Sequence, residues 1–328
     1  MKLLLRSFFL LLLLLALSGC GSAQPAPAAQ SAKLRVVTTV SPIANIIHNI
    51  GGDRIELTGI VPEGVNSHTF EPAPSHARLL AQADLIFVNG LHLEEPTIKL
   101  AEANKRDGIE IISLGEQTVT PDEYVFDFSF PKEAGNPNPH LWMNPLYAAR
   151  YAQLAADALA AKDPANADFY QANAGAFTTR IDALDKAIAA TIETIPAEKR
   201  RLLTYHDSFA YFAPRYGMTV LGAIQPADFS EPSAQEVARL ITQLREEKIP
   251  AIFGSEVFPS PILEQIAKES GAVFIDQLRD DDLPGEEGDA NHSYFGLLVE
   301  DVRIISQALG GNPALMDGVE VGNLTAGR

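Results

Sequence analysis

The sequence predicts an α/β protein of two similar lobes, each a parallel sheet flanked by helices, joined by one long rigid helix. Two observations carry this expectation. Short apolar strands alternate with amphipathic helices, and that alternation occurs twice. Such strands suit a parallel sheet covered on both faces. Between the two series runs one helical period that exceeds what a single small domain needs.

In the first series, Arg35 to Val40 reads as a strand, and Ser41-Pro42 as an N-cap followed by proline at the first helical position. Ile43, Ile46, Ile47 and Ile50 then follow at i, i+3, i+4 and i+7, and Gly51 ends the helix. Arg54 to Val61 is a second strand, and Glu63 to Pro74 a polar loop. Ser75 caps a helix through Gln82, and the strands Asp84 to Asn89 and Ile109 to Leu114 flank a helix from Glu95 to Asn104. Gly115 to Pro139 is a loop of a length that marks functional or disordered segments. A helix from Asn144 to Ala161 closes the series.

From Pro164 to Thr194, Phe177, Ile181, Leu184, Ile188 and Ile192 keep a helical period, and Pro196 ends it. At 1.5 Å per residue the connector is roughly 45 Å long. The second series has strands at Arg201 to Tyr205, Met218 to Ile224, Ala251 to Gly254 and Ala272 to Ile275. Its helices are Ser208 to Tyr216, Ser233 to Glu247, Pro261 to Ser270 and Ser293 to Leu309. Structure signals are weak after Gly310. The expected division is a lobe at 33–163, the connecting helix at 164–195, a lobe at 196–310 and a tail at 311–328. No residue-level internal repeat links the lobes.

The N-terminus reads as a targeting segment. Lys2 and Arg6 precede the apolar run Phe8 to Leu17, too short and wrongly flanked for a spanning helix. Leu17-Ser18-Gly19-Cys20 resembles the bacterial lipobox, and Cys20 is the only cysteine of the chain. Residues 1–19 are thus expected to be a lipoprotein signal peptide and 20–32 a flexible tether of Ala, Pro, Ser and Gln. The mature chain would be extracytoplasmic and reach the membrane only through lipid on Cys20. A net charge of −17 repels nucleic acid and attracts cations.

Four polar positions stand out by context: His68, His140, His206 and the acidic run Asp280 to Asp282. His68 follows the second strand, His206 ends the fifth and the acidic run follows the eighth. Ligands of open α/β sheets collect outside the carboxyl ends of strands. His140 lies in the long loop beside Pro139. Three imidazoles and a carboxylate suit a borderline divalent metal. His48, His76, His92 and His292 carry ordinary structural readings, as does the solvated acidic loop of Glu286, Glu287 and Asp289. Trp142 and Phe70 flank the candidate histidines and could supply an apolar shell.

The local motifs make a resemblance specific. Gly64-Val65-Asn66-Ser67-His68-Thr69-Phe70-Glu71-Pro72, Asn89-Gly90-Leu91-His92-Leu93-Glu94, Pro139-His140-Leu141-Trp142-Met143-Asn144-Pro145, Tyr205-His206-Asp207-Ser208-Phe209 and Leu278-Arg279-Asp280-Asp281-Asp282-Leu283 resemble, in order, motifs of the zinc/manganese solute-binding lipoproteins of ABC importers. The match runs from about Arg35 to Leu309. It implies the metal ligands His68, His140, His206 and Asp281, with Asp281 preferred over Asp280 for its spacing to Leu283. It also implies a monomeric receptor, not an enzyme, that hands its metal to an ABC permease. Many zinc members carry a His- and acid-rich insertion between the first two ligand motifs. Only His76 and His92 stand there in this chain.

Histidine at position 206 gives three nitrogens and one oxygen, which favours Zn²⁺ over Mn²⁺ as bound cargo. A manganese-specific receptor of the same family is the alternative. A surface adhesin-type lipoprotein would leave the four residues unexplained. A zinc hydrolase is the remote rival, because H-E-x-x-H, G-x-S-x-G and P-loop motifs are all missing.

Overall fold

Among the described residues, eight short strands build two separate four-stranded parallel sheets. The computed structural model describes residues 33–225, 229–255, 257 and 261–324. The first sheet contains β1 (Leu34–Thr38), β2 (Ile55–Gly59), β3 (Leu85–Val88) and β4 (Ile111–Ser113), in the order β2-β1-β3-β4. The second contains β5 (Arg201–Thr204), β6 (Thr219–Ala223), β7 (Ala251–Ser255) and β8 (Val273–Leu278), in the order β6-β5-β7-β8. The two sheets therefore share one topology without a sequence repeat. Leu34 pairs with Ile55 and Thr38 with Gly59, so β1 and β2 run in step. β3 is buried along its whole length, as its unbroken Leu-Ile-Phe-Val run requires.

The helices are α1 (Ser41–Gly51), α2 (Pro74–Gln82), α3 (Glu95–Asn104), α4 (Leu114–Thr118), α5 (Pro145–Lys162), α6 (Ala167–Glu193), α7 (Phe212–Arg215), α8 (Ala234–Glu247), α9 (Pro261–Ser270) and α10 (Tyr294–Leu309). Among the described residues no helix is long and apolar enough to cross a membrane. Asn144 caps α5 by accepting the Leu146 N–H, and Ser233 with Glu236 forms a reciprocal capping box on α8. The expected caps Ser41 and Ser75 instead lie inside their helices, which start one and two residues earlier, after Val40 and Ala73.

α6 runs for 27 residues, about 40 Å. It is more than a connector. Its buried stripe, Tyr170, Ala174, Phe177, Ile181, Leu184, Ile188 and Ile192, enters a core shared with α1, α5 and α10. That core also takes in Leu202 of β5 and Phe253 of β7, so apolar packing is continuous from one sheet to the other. Smaller clusters fill the outer faces: Val37, Ile86 and Leu80 on the first sheet, and Leu203, Ile252, Ile241 and Leu263 on the second.

Three segments depart from expectation. Helix is confined to Phe212–Arg215, because a helix begun at Ser208 would hold Pro214 in its interior. The loop 115–139 contains α4 and two single turns, Pro121–Glu123 and Lys132–Ala134. The weakly patterned tail is docked: Met316 is fully buried, the Leu324 N–H donates to Asn49 Oδ1 of α1 at 2.6 Å, and Arg180 donates to the Glu320 carbonyl. The signal-peptide and tether readings, Cys20 included, lie outside the described residues.

Candidate metal centre

His68 stands in the loop after β2, His140 at the end of the long loop before α5, and His206 two residues beyond β5. Their metal-ligating atoms all lie within 4.8 Å of one another. His140 Nε2 is 3.2 Å from His68 Nε2 and 3.2 Å from His206 Nε2. A tetrahedral ion with nitrogen bonds of about 2.0–2.1 Å holds its ligand atoms about 3.3 Å apart. The observed spacing fits such an ion.

Hydrogen bonds behind the rings fix their direction. Asn138 Oδ1 accepts from the His140 backbone N–H and from its Nδ1, each at 2.9 Å. That bond leaves the Nε2 lone pair facing the cluster. The Asn138 amide in turn donates to Asp127 Oδ2 at 2.7 Å and to the Asp207 carbonyl at 2.6 Å. His206 is held by the Gln225 side chain. The His68 N–H donates to Asn66 Oδ1 at 2.9 Å, repeating the Asx turn seen at Asn138 and His140. Asn89 supports the second ligand loop by donating to the Pro139 carbonyl, and the buried Glu94 accepts the N–H groups of Asn89 and Gly90.

Burial holds all three imidazoles neutral. It lowers His68 and His140 well below the usual histidine value; the neighbouring His206 lowers both further, and His68 also lowers His140. His206 is lowered to about 4. Neutral imidazole is the form that binds metal. Three nitrogen lone pairs at this spacing call for a cation or a shared proton between them.

The acidic triplet divides its work. Asp280 is buried, with Oδ2 3.9 Å from His140 Nε2 and Oδ1 taking the Asp281 N–H and the Ser255 hydroxyl. Burial, then the neighbouring Asp281, pushes Asp280 up to about 8. Asp281, which the resemblance implied as a ligand, directs Oδ2 to the Ser67 N–H at 3.1 Å, and Asp282 directs Oδ2 to the Gly64 N–H at 2.7 Å. Trp142 lies 5.1 Å from His140 by ring centroid and donates its indole N–H to the Asp280 carbonyl at 2.9 Å. Phe70 faces His76 and the core instead. The aromatic walls that sequence reasoning missed are Phe130, within 5.8 Å of all three imidazoles, and Phe229, stacked on His68 at 4.8 Å and 19°. No local signal marks those two. The repeated Asn-x-His spacing at 66–68 and 138–140 was available.

The remaining histidines stand apart. His92 pairs with Glu95 at 2.6 Å, and His292 approaches Glu63 at 3.6 Å. His48 is exposed on α1 and His76 lies by Phe70.

Residues 36–308 match the family described as the zinc-uptake complex component A, periplasmic. The manganese ABC transporter substrate-binding lipoprotein PsaA of Streptococcus pneumoniae is 33% identical over 295 residues, covering 85% of this chain and 90% of the relative. The metal ABC transporter substrate-binding lipoprotein FimA of Streptococcus parasanguinis is 32% identical, with 85% and 90% covered. Among solved structures, the periplasmic zinc-binding protein TroA from Treponema pallidum superposes with a TM-score of 0.77 at 26% identity, covering 85% of this chain and 99% of that one.

Proposed function

The chain belongs to the family of the periplasmic component A of zinc-uptake complexes, and from that premise we propose that it captures a divalent transition-metal ion outside the cytoplasm and delivers it to the permease of an ABC-type importer. The single observation carrying this reading is the convergence of three neutral imidazoles whose Nε2 atoms have the spacing of a metal's coordination sphere. The ligand set is His68, His140, His206 and Asp280. Asp280 takes the fourth place in preference to Asp281, because its carboxylate faces His140 while that of Asp281 is engaged by the Ser67 N–H.

Such a set is filled by protein atoms, which leaves no position for an activated water. The chain is accordingly a binding protein and not an enzyme. Three nitrogens and one oxygen favour zinc. The manganese named for the streptococcal relative supports manganese as the second reading. Residues 1–19 act as a signal peptide, and lipid on Cys20 tethers a monomeric receptor to the membrane through 20–32.

Protein dialysed against zinc should retain one equivalent of metal by elemental analysis. His206→Glu should raise its preference for manganese in a zinc–manganese competition. Failure to retain metal would sink the receptor reading, and an unchanged ratio would remove His206 from the ligand set.

A further inference from the structure

We propose that Asp281 and Asp282 are positioning residues that latch the His68 loop to the opposite lobe and so govern how slowly the metal leaves. The inference rests on the ligand set above. It starts from an asymmetry in how that set is held. His140 and His206 are fixed by side chains behind their rings, Asn138 and Gln225. His68 is only part-buried, and its loop is held through its backbone from across the cleft.

Asp282 Oδ2 accepts the Gly64 N–H at 2.7 Å, and Asp281 Oδ2 accepts the Ser67 N–H at 3.1 Å. The contact is reciprocated: the Leu283 N–H donates to Glu63 Oε1 at 3.4 Å, and His292 lies 3.6 Å from the same carboxylate. Gly64 has φ +76°, a conformation that glycine adopts without strain, in the turn whose N–H meets Asp282. Both acceptors follow Asp280 directly. One short segment therefore presents a ligand to the metal and anchors the loop carrying a second ligand from the other lobe.

Backbone amides held by carboxylates are charge-assisted hydrogen bonds, stronger than neutral ones. Opening the cleft far enough to release metal has to break them. The latch therefore acts on the dissociation rate. It also explains three consecutive acids where one ligand would suffice: Asp280 carries the coordinating charge, and the next two supply acceptors.

The test is stopped-flow release of Zn²⁺ into excess chelator, with hydrogen exchange at the Gly64 and Ser67 amides. Asp282 is the residue to change, because it is the farther of the two from Asp280 in sequence. Asp282→Ala should release zinc on the order of tenfold faster, the size expected for one lost charge-assisted bond, and the Gly64 amide should lose protection. Asp282→Asn should fall between the parent and Asp282→Ala, since its Oδ1 still accepts the same N–H but without the charge. Equal rates for Asp282→Ala and the parent would overturn the latch. So would an Asp282→Asn variant as fast as Asp282→Ala, which would assign the effect to charge alone. His68→Ala separates the two readings: it should abolish tight zinc binding, and if it does not, the ligand set itself fails.

Discussion

Asn138 is the residue on which the geometry of the site turns. It sets the tautomer of His140, and through Asp127 and the Asp207 carbonyl it ties that histidine to both the long loop and the segment carrying His206. Metal-ligand supports of this kind are worth about 10–100-fold in affinity. Asn138→Ala should weaken zinc binding by that factor in a chelator competition while the far-ultraviolet circular dichroism is unchanged. Parent-like affinity would mean that packing alone orients the ring.

The buried acids and imidazoles give the metal-free protein a defined pH response. Asp280 stands at about 8 and Glu94 at about 7, both raised mainly by burial above the unfolded carboxylate values near 4. Folding therefore takes up protons at these groups. Their contribution is complete below about pH 4 and is lost as pH rises through 7 and 8. The histidines act in the opposite sense. Their folded values are lowered, so their contribution is complete above about pH 6.5 and is lost as pH falls. Above pH 6.5 only the acids still change. Urea unfolding in chelator should show less stability at pH 8 than at pH 6.5. Bound zinc, which favours ionised Asp280, should diminish that loss. A metal-free protein that gains stability across this window would contradict the assignment.

At the scale of elements, strand position was legible because apolar runs bounded by turn residues mark doubly covered strands. All eight expected strands form within a few residues of their limits. Helix ends were less legible, since Ser41 and Ser75 have capping chemistry but sit where proline already starts the helix. The docking of 311–324 left no regular pattern, because it rests on scattered apolar side chains, Met316, Val319, Val321 and Leu324, and on hydrogen bonds to Asn49. The acidic triplet shows the same limit at the site. Asp280, Asp281 and Asp282 are chemically identical, and only the path of the chain after β8 decides which carboxylate faces His140. α10 follows the second sheet in sequence yet packs on α1 and α6 as well as β8. Its Phe295 is fully buried beside Phe177, with the Arg180 guanidinium 4.0 Å from the ring centroid. Phe295→Ala should cost about 3–5 kcal/mol. Because the core is shared, it should lower the whole unfolding transition together. A calorimetric trace that splits into two transitions would show that the lobes unfold independently.

For the whole molecule, a continuous core beneath two sheets means that the cleft sits on a common foundation. The imidazoles and the acidic segment then meet at loop ends above it, where strand termini of both sheets deliver them. Metal binding to the folded form alone should stabilise it by about 2.7 kcal/mol at a free concentration one hundred times Kd. The account is tested most directly by an anomalous difference map from zinc-loaded crystals at the zinc edge. A single peak about 2.1 Å from His68 Nε2, His140 Nε2, His206 Nε2 and an Asp280 oxygen is the expected result. A peak elsewhere, or one coordinated by Asp281 with Asp280 turned away, would contradict it.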